Sequence, residues 1–370
     1  MELKHLCKRT LLLCAVFCFA VTALSAQDSL SHKHKFTRLG FEVRAEFEYG
    51  ANYADSVGRD LATKSHDYGF RGKYFNLCLG GEFGKGFAYA FRQRIIADPG
   101  SYNFFDNTDY LWLQYSPNQR WSFRIGKDAL FYGGFEYDAA PIDVYYAAYY
   151  WQQYPCYQLG VVATYHDKSG KNNIVFQLAN SPYVQLFATA DGWKKGLLSY
   201  NLYWSGNFNH FKTLYSINLF ERKRGSFITH VALGNKLEFD HCTWYLDYLN
   251  RAAEWKHCFE DFSVVSRLDV IFKHANLFVK GGYDQNLAEN RFVEEPRDLM
   301  MLPGRRYAFY GLGVEYWPKG NRALRLHACV SNAVMIDETA DIRHDGTLSV
   351  RVGLTWNMDF LRYFEKKLNH

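Results

Sequence analysis

Residues 347–358 read TLSVRVGLTWNM, and the segment divides by parity: Leu348, Val350, Val352, Leu354, Trp356 and Met358 alternate with Thr347, Ser349, Arg351, Gly353, Thr355 and Asn357. Successive side chains of an extended chain leave opposite faces of a sheet, so this is a strand with one apolar face and one polar or small face. A soluble sandwich would bury the apolar face in a core. A membrane barrel would turn it to lipid and give the polar face to a water-filled lumen. The rest of the chain decides between the two.

At the other end, Lys4, Lys8 and Arg9 precede the apolar run LLLCAVFCFAVTALS, which stops at small residues before Gln27 and Asp28. The run is shorter than the roughly 20 residues of a spanning helix, and it has the charged start and small-residue end of a secretory signal, with cleavage expected near Ala26. Residues 1–26 hold two Lys, one Arg and one Glu, so the whole-chain charge of +5 leaves +3 on the remainder. That is too weak a balance to argue for nucleic acid. Of eight cysteines three lie in the signal, and the other five (Cys78, Cys156, Cys242, Cys258, Cys329) are scattered and odd in number. They imply neither a disulfide framework nor a zinc site, and no metal or cofactor is expected.

Tyr, Phe and Trp supply 18% of the chain, yet no second apolar run could cross a bilayer as a helix. An exported, aromatic-rich chain of alternating segments fits an outer-membrane barrel, in which half the side chains face lipid and amphipathic rings mark the interfaces. Alternation places sixteen strands at about 37–49, 68–83, 87–98, 107–116, 120–127, 156–167, 172–181, 197–206, 211–221, 226–239, 242–251, 261–273, 277–285, 306–317, 322–333 and 347–358. Tight turns such as GKG (84–86), PNQ (117–119), DKSGK (167–171), HAN (274–276) and PKGN (318–321) follow the even strands. Long connections follow strands one, three, five, seven, thirteen and fifteen, as in a barrel with short periplasmic turns and longer outer loops. Residues 27–370 are therefore read as one all-β domain, a transmembrane antiparallel barrel of about 16 strands with a tail at 361–370.

With polar faces inward, the lumen gains Arg44, Arg92, Arg94, Arg124, Lys236, Arg267, Lys280, Arg325 and Arg351, together with Glu42, Glu46, Glu48, Glu238, Asp269, Asp284 and Glu315. Such a mixture is cheap in a solvated channel and costs several kcal/mol per unpaired charge in a dry core. The longest loop, 127–155, carries Gly133, Gly134, Asp128, Glu136, Asp138 and Asp143 among many tyrosines. Long loops of this kind are usually functional. Folded inward, it would shelter its rings, set its acids against the basic wall and narrow the pore as a constriction loop.

The segments RIGKDALFYGGFEYDAAPIDVYYAAYYW, PCYQLGVVATYH and FQLANSP, within 124–182, resemble the strand, long loop and next hairpin of the phosphate-selective porin O and P family, in its Bacteroidetes-type branch. The resemblance implies a sixteen-strand outer-membrane porin, typically a homotrimer in outer-membrane lipid, whose third loop folds inward. It further implies passive diffusion of small hydrophilic solutes or ions; a weak preference for anions of the phosphate type comes by resemblance only. The loop departs from the family's ladder of arginines and central lysines: it offers acids and tyrosines, with Lys127 its one early basic residue. The C-terminus departs too, since LRYFEKKLNH follows Phe360 where such barrels usually end on an aromatic.

Two other function classes compete with this reading. A non-conducting adhesin or secretion barrel would need a plug, and no separate plug domain or repeat is present. An outer-membrane hydrolase needs a nucleophile with its base; His166 and His230 lie on polar faces, but no spacing ties either to a nucleophile. The chain is expected not to be an enzyme. The histidines of SHKHK (31–35) lack a carboxylate or Cys at ligand spacing.

Overall fold

The structure, a computed structural model, describes residues 35–361 apart from 57–61, 96–104, 184–195, 252–257, 288–300, 302, 319–321 and 338–342. The signal expected at 1–26, all but the last residue of SHKHK, and 362–370 of the tail lie outside the described residues. Sixteen strands, β1 (Lys35–Ser56) to β16 (Arg343–Asp359), each pair antiparallel with the next, and β1 pairs with β16 to close the barrel. Closure leaves no open edge around the ring, which lipid requires because it cannot hydrogen-bond a free backbone.

The opening segment lies in β16 as its parity requires. Val352 is 54% exposed on the outer face, while Thr355 is 3% exposed on the inner one. Phe41, Val43, Ala45 and Phe47 of β1 continue the outer face beside Met358, Trp356, Leu354 and Val352. At the turn end aromatic rings meet from neighbouring strands: Phe87 and Tyr115 at 4.7 Å, Trp121 and Tyr165 at 5.1 Å, Trp204 and Tyr215 at 5.4 Å. Rings there sit where a barrel meets the membrane interface. The turn between β6 (Tyr157–His166) and β7 (Asn172–Asn180) is closed by Asp167, whose carboxylate accepts from Asn172 Nδ2, Ser169 Oγ and the Lys171 amide; these donors hold its pKa down at about 2.

Two connections expected to be long are short. β1 runs on to Ser56 and β2 (Ala62–Phe83) starts at Ala62, while β15 (Leu324–Asp337) and β16 pair as far as Asp337 with Arg343. Above the apolar band both faces meet water, so the ladder continues without the alternation that marks a half-buried strand. β3 (Phe87–Arg94) instead ends earlier than the pattern suggests, at a register shift against β4 (Thr108–Tyr115). β5 (Trp121–Ala129) absorbs Lys127 and Asp128, so the long connection begins at Leu130.

Candidate functional site

The connection from β5 to β6 contains two short helices, α1 (Phe135–Asp138) and α2 (Tyr149–Gln153), and a 3-10 turn at Pro141–Asp143. It lies along the inner wall, bonded strand after strand. The Phe131 amide donates to Gln177 on β7 at 2.8 Å and the Gly133 amide to Ser216 on β9 (Phe211–Lys223) at 2.8 Å. Next, the Glu136 amide donates to Asp247 on β11 (Cys242–Asn250) at 2.8 Å. On β13 (Ala275–Asn286), Lys280 Nζ lies 2.7 Å from both the Glu136 carboxylate and the Tyr146 carbonyl, and Asp284 accepts the Tyr149 amide at 3.1 Å. Tyr145 Oη donates to Glu315 on β14 (Arg305–Tyr316) at 2.7 Å, and Arg325 on β15 pairs with Asp143. At the seam, Arg351 of β16 donates to the Tyr145 carbonyl, and Arg44 of β1 donates to the carbonyls of Val144 at 2.8 Å and Ile142 at 3.3 Å.

The local sequence explains this path. Gly134 holds φ at +104°, a conformation that suits glycine, and a Cβ there would meet the Asp247 carboxylate at 3.3 Å. Apolar rings fill the space behind: Tyr132, Tyr150, Tyr154, Tyr183 and Phe220 pack as one cluster, and the hydroxyls of Tyr132 and Tyr150 lie 3.2 and 3.3 Å from Nδ1 of buried His230. Burial pushes all three loop tyrosine hydroxyls of this cluster above their ordinary pKa.

All nine basic side chains read as lumenal leave the inner face, but the charges are matched differently from the expected arrangement. The loop acids were expected near Arg44, Arg92, Arg94 and Arg124. Instead Glu136 sits on Lys280 and Asp143 on Arg325, while Asp138 interacts with Lys236 of β10 (Ser226–Glu238). Burial raises the pKa of the Asp138 carboxyl, and Lys236 opposes that rise. The arginines of β3 and β5 find acids of their own wall. Arg92 Nε is 3.2 Å from Glu42 and 3.0 Å from Asp109, Arg94 Nε is 2.7 Å from Asp109, and Arg124 pairs with Asp128 and lies 4.2 Å over the Trp112 ring. Arg267 pairs with Asp269 at 2.8 Å, and Lys236 with Glu238 at 3.1 Å.

Three participants escape the alternation rule for one reason. A bulge between Arg92 and Gln93 opposite β4 carries Asp109 out of the parity of Leu111 and Leu113, and one in β2 opposite Arg44 displaces Arg71 and Lys73. Lys73 Nζ and Arg351 Nε then lie 2.6 and 2.9 Å from Glu48, with Arg71 Nε at 3.5 Å. His327 lies inside as well, 3.2 Å from Glu46. Arg71, Arg94, Lys73 and Arg124 keep 42, 44, 27 and 24% of their side-chain surface exposed, so the wall from β2 to β5 presents cations to the lumen. Among the described residues no group of His, Cys, Asp and Glu could hold a metal ion.

Residues 41–190 match the family model for phosphate-selective porin O and P, which bears out the resemblance carried by 124–182. No curated protein matches the chain. Among solved structures, the outer membrane channel DcaP of Acinetobacter baumannii superposes with a TM-score of 0.56 at 10% identity, covering 87% of this chain and 97% of its own. A mutant of Rhodopseudomonas blastica porin covers 86% of this chain and 100% of its own at 14% identity and a TM-score of 0.46. The DcaP likeness establishes the fold. The chain is a closed sixteen-strand antiparallel barrel, similar through residues 41–190 to the phosphate-selective porin O and P family.

Proposed function

We propose that this porin lets small hydrophilic solutes and ions diffuse passively through its lumen, with a weak preference for anions, and that the loop 130–156 sets the narrowest point. The observation that carries this reading is the asymmetry of the lumen. The loop covers the wall from β7 round to β1 with its acids, while β2 to β5 keep Arg71, Lys73, Arg94 and Arg124 partly in water. A transverse field of this kind orients and selects passing ions. Because each of these four cations has an acid within 4 Å, the preference is small. The same reading includes removal of residues 1–26 by signal cleavage near Ala26, a C-terminal tail at 361–370 and assembly as a homotrimer in the outer membrane.

Reversal potentials across a planar bilayer in a salt gradient test the proposal: a modest shift toward the anion potential is expected. Strong cation selectivity would refute the basic-wall argument, and absence of conductance would refute the channel. Within the loop, Asp143→Asn is expected to move selectivity further toward anions, because 45% of the Asp143 side-chain surface is exposed. Asp138→Asn should do less, since burial already disfavours its charged form. An Asp138→Asn shift larger than that of Asp143→Asn would reverse this ranking.

A further inference from the structure

Near the turn end of the barrel, cross-strand register assembles three residues that are far apart in sequence. Ser122 Oγ on β5 lies 3.3 Å from His166 Nε2 at the end of β6, and His166 Nδ1 lies 2.6 Å from Asn173 Oδ1 on β7. Asn173 is itself oriented, its Nδ2 donating to Ser205 Oγ on β8 (Leu198–Phe208) at 3.1 Å. An Asn carbonyl at Nδ1 fixes the tautomer with the proton on Nδ1 and leaves Nε2 as the acceptor facing the hydroxyl. This is the connectivity of nucleophile, base and orienting group that acyl-transfer sites use. Thr164 stands directly across from Ser122 in the β5–β6 register. The hydroxyl of Thr164 has no partner among the described residues, and directly opposed side chains of a sheet lie about 4.5–5.5 Å apart at Cβ.

We infer that Ser122, His166 and Asn173 form an esterase site inside the lumen, specific for small acyl esters carried on hydrophilic solutes. The restriction to small acyl groups follows from access, because Ser122 is only 8% exposed. Ser122 Oγ attacks the ester carbonyl carbon as its proton passes to His166 Nε2. The tetrahedral oxygen is received by the Thr164 hydroxyl. Collapse breaks the bond to the alcohol, which leaves with the proton from Nε2. Water then attacks the acetyl-Ser122 carbonyl, giving its proton to Nε2. The second collapse releases acetic acid and returns the proton to Ser122, so that ester and water become acid and alcohol.

The test uses purified, folded barrel in detergent with p-nitrophenyl acetate, and a fluorophosphonate label located by peptide mass mapping. The wild type should hydrolyse the ester with saturation and carry the label on Ser122. Ser122→Ala should abolish both, while heat-modifiable migration and single-channel conductance stay as in the wild type. His166→Ala should lower the rate by about 10²-fold, the ordinary contribution of a general base. Thr164→Val should lower kcat with little change in KM, which a residue serving only the fold would not do. Hydrolysis equal in the wild type and Ser122→Ala, or a label found elsewhere or nowhere on folded protein, would overturn the assignment. Because conductance is read separately, loss of the esterase and loss of the channel are distinguishable.

Discussion

Val352→Arg is expected to cost the folded barrel about 2–4 kcal/mol, the penalty for a cation on the lipid face near the midplane. Val352 is more than half exposed on the outer face, flanked by Val350 and Leu354, and its row continues into Phe47 of β1 and Ala328 of β15. A guanidinium there has no water and no acid within the row. Thr347→Arg, on the same strand with the opposite parity, should be nearly neutral because Thr347 is exposed on the lumenal side. Thr355 shares that parity but does not serve as the control, since it is buried against His327. The readout is the fraction of heat-modifiable folded barrel after refolding into detergent across a urea series. Equal losses in Val352→Arg and Thr347→Arg would reject the assignment of faces.

Deleting residues 135–142 is expected to raise single-channel conductance by about twofold or more, because cross-section at the narrowest point governs flux through a water-filled pore. The deletion removes α1 and the start of the 3-10 turn, with Glu136 and Asp138. The wall it uncovers should tolerate water. Lys280 still has Asp247 within electrostatic reach, and Arg325 keeps Glu315 at 3.5 Å. Conductance unchanged in a barrel that still folds would mean that the loop does not form the constriction.

The strand count and nearly every strand position were legible in the sequence because each strand is half in lipid, and that environment imposes a period of two. Parity then placed Arg44, Arg267, Lys280, Arg325 and Arg351 on the lumenal face without further information. Legibility ended where the ladder slips: Asp109, Arg71 and Lys73 sit at bulges, and no local signal in TDYLWLQY or FRGKYF announces the extra residue. It ended also where partners are chosen across the barrel. Glu136 and Asp143 were recognisable as loop acids, but their pairing with β13 and β15 rather than β3 and β5 depends on the route of the whole loop. His166 had no visible partner for a similar reason, since Ser122 and Asn173 reach it only through the register of three strands.

The loop's bonds at the seam bear on how the barrel comes to exist. β1 and β16 are the first and last strands of the chain, and their pairing must join segments about as distant as this sequence permits. Arg44 on one side and Arg351 on the other both donate to carbonyls of the same short stretch, Ile142 to Tyr145, which lies 98 to 206 residues from its partners. A mid-chain segment already inside the nascent cylinder can therefore hold both margins in register before their own ladder forms. Loop closure over such separations is entropically slow, and a bound intermediate piece divides one long search into two shorter ones. In the folded barrel the loop thus acts as an internal clasp, one mid-chain stretch holding both margins of the closing seam.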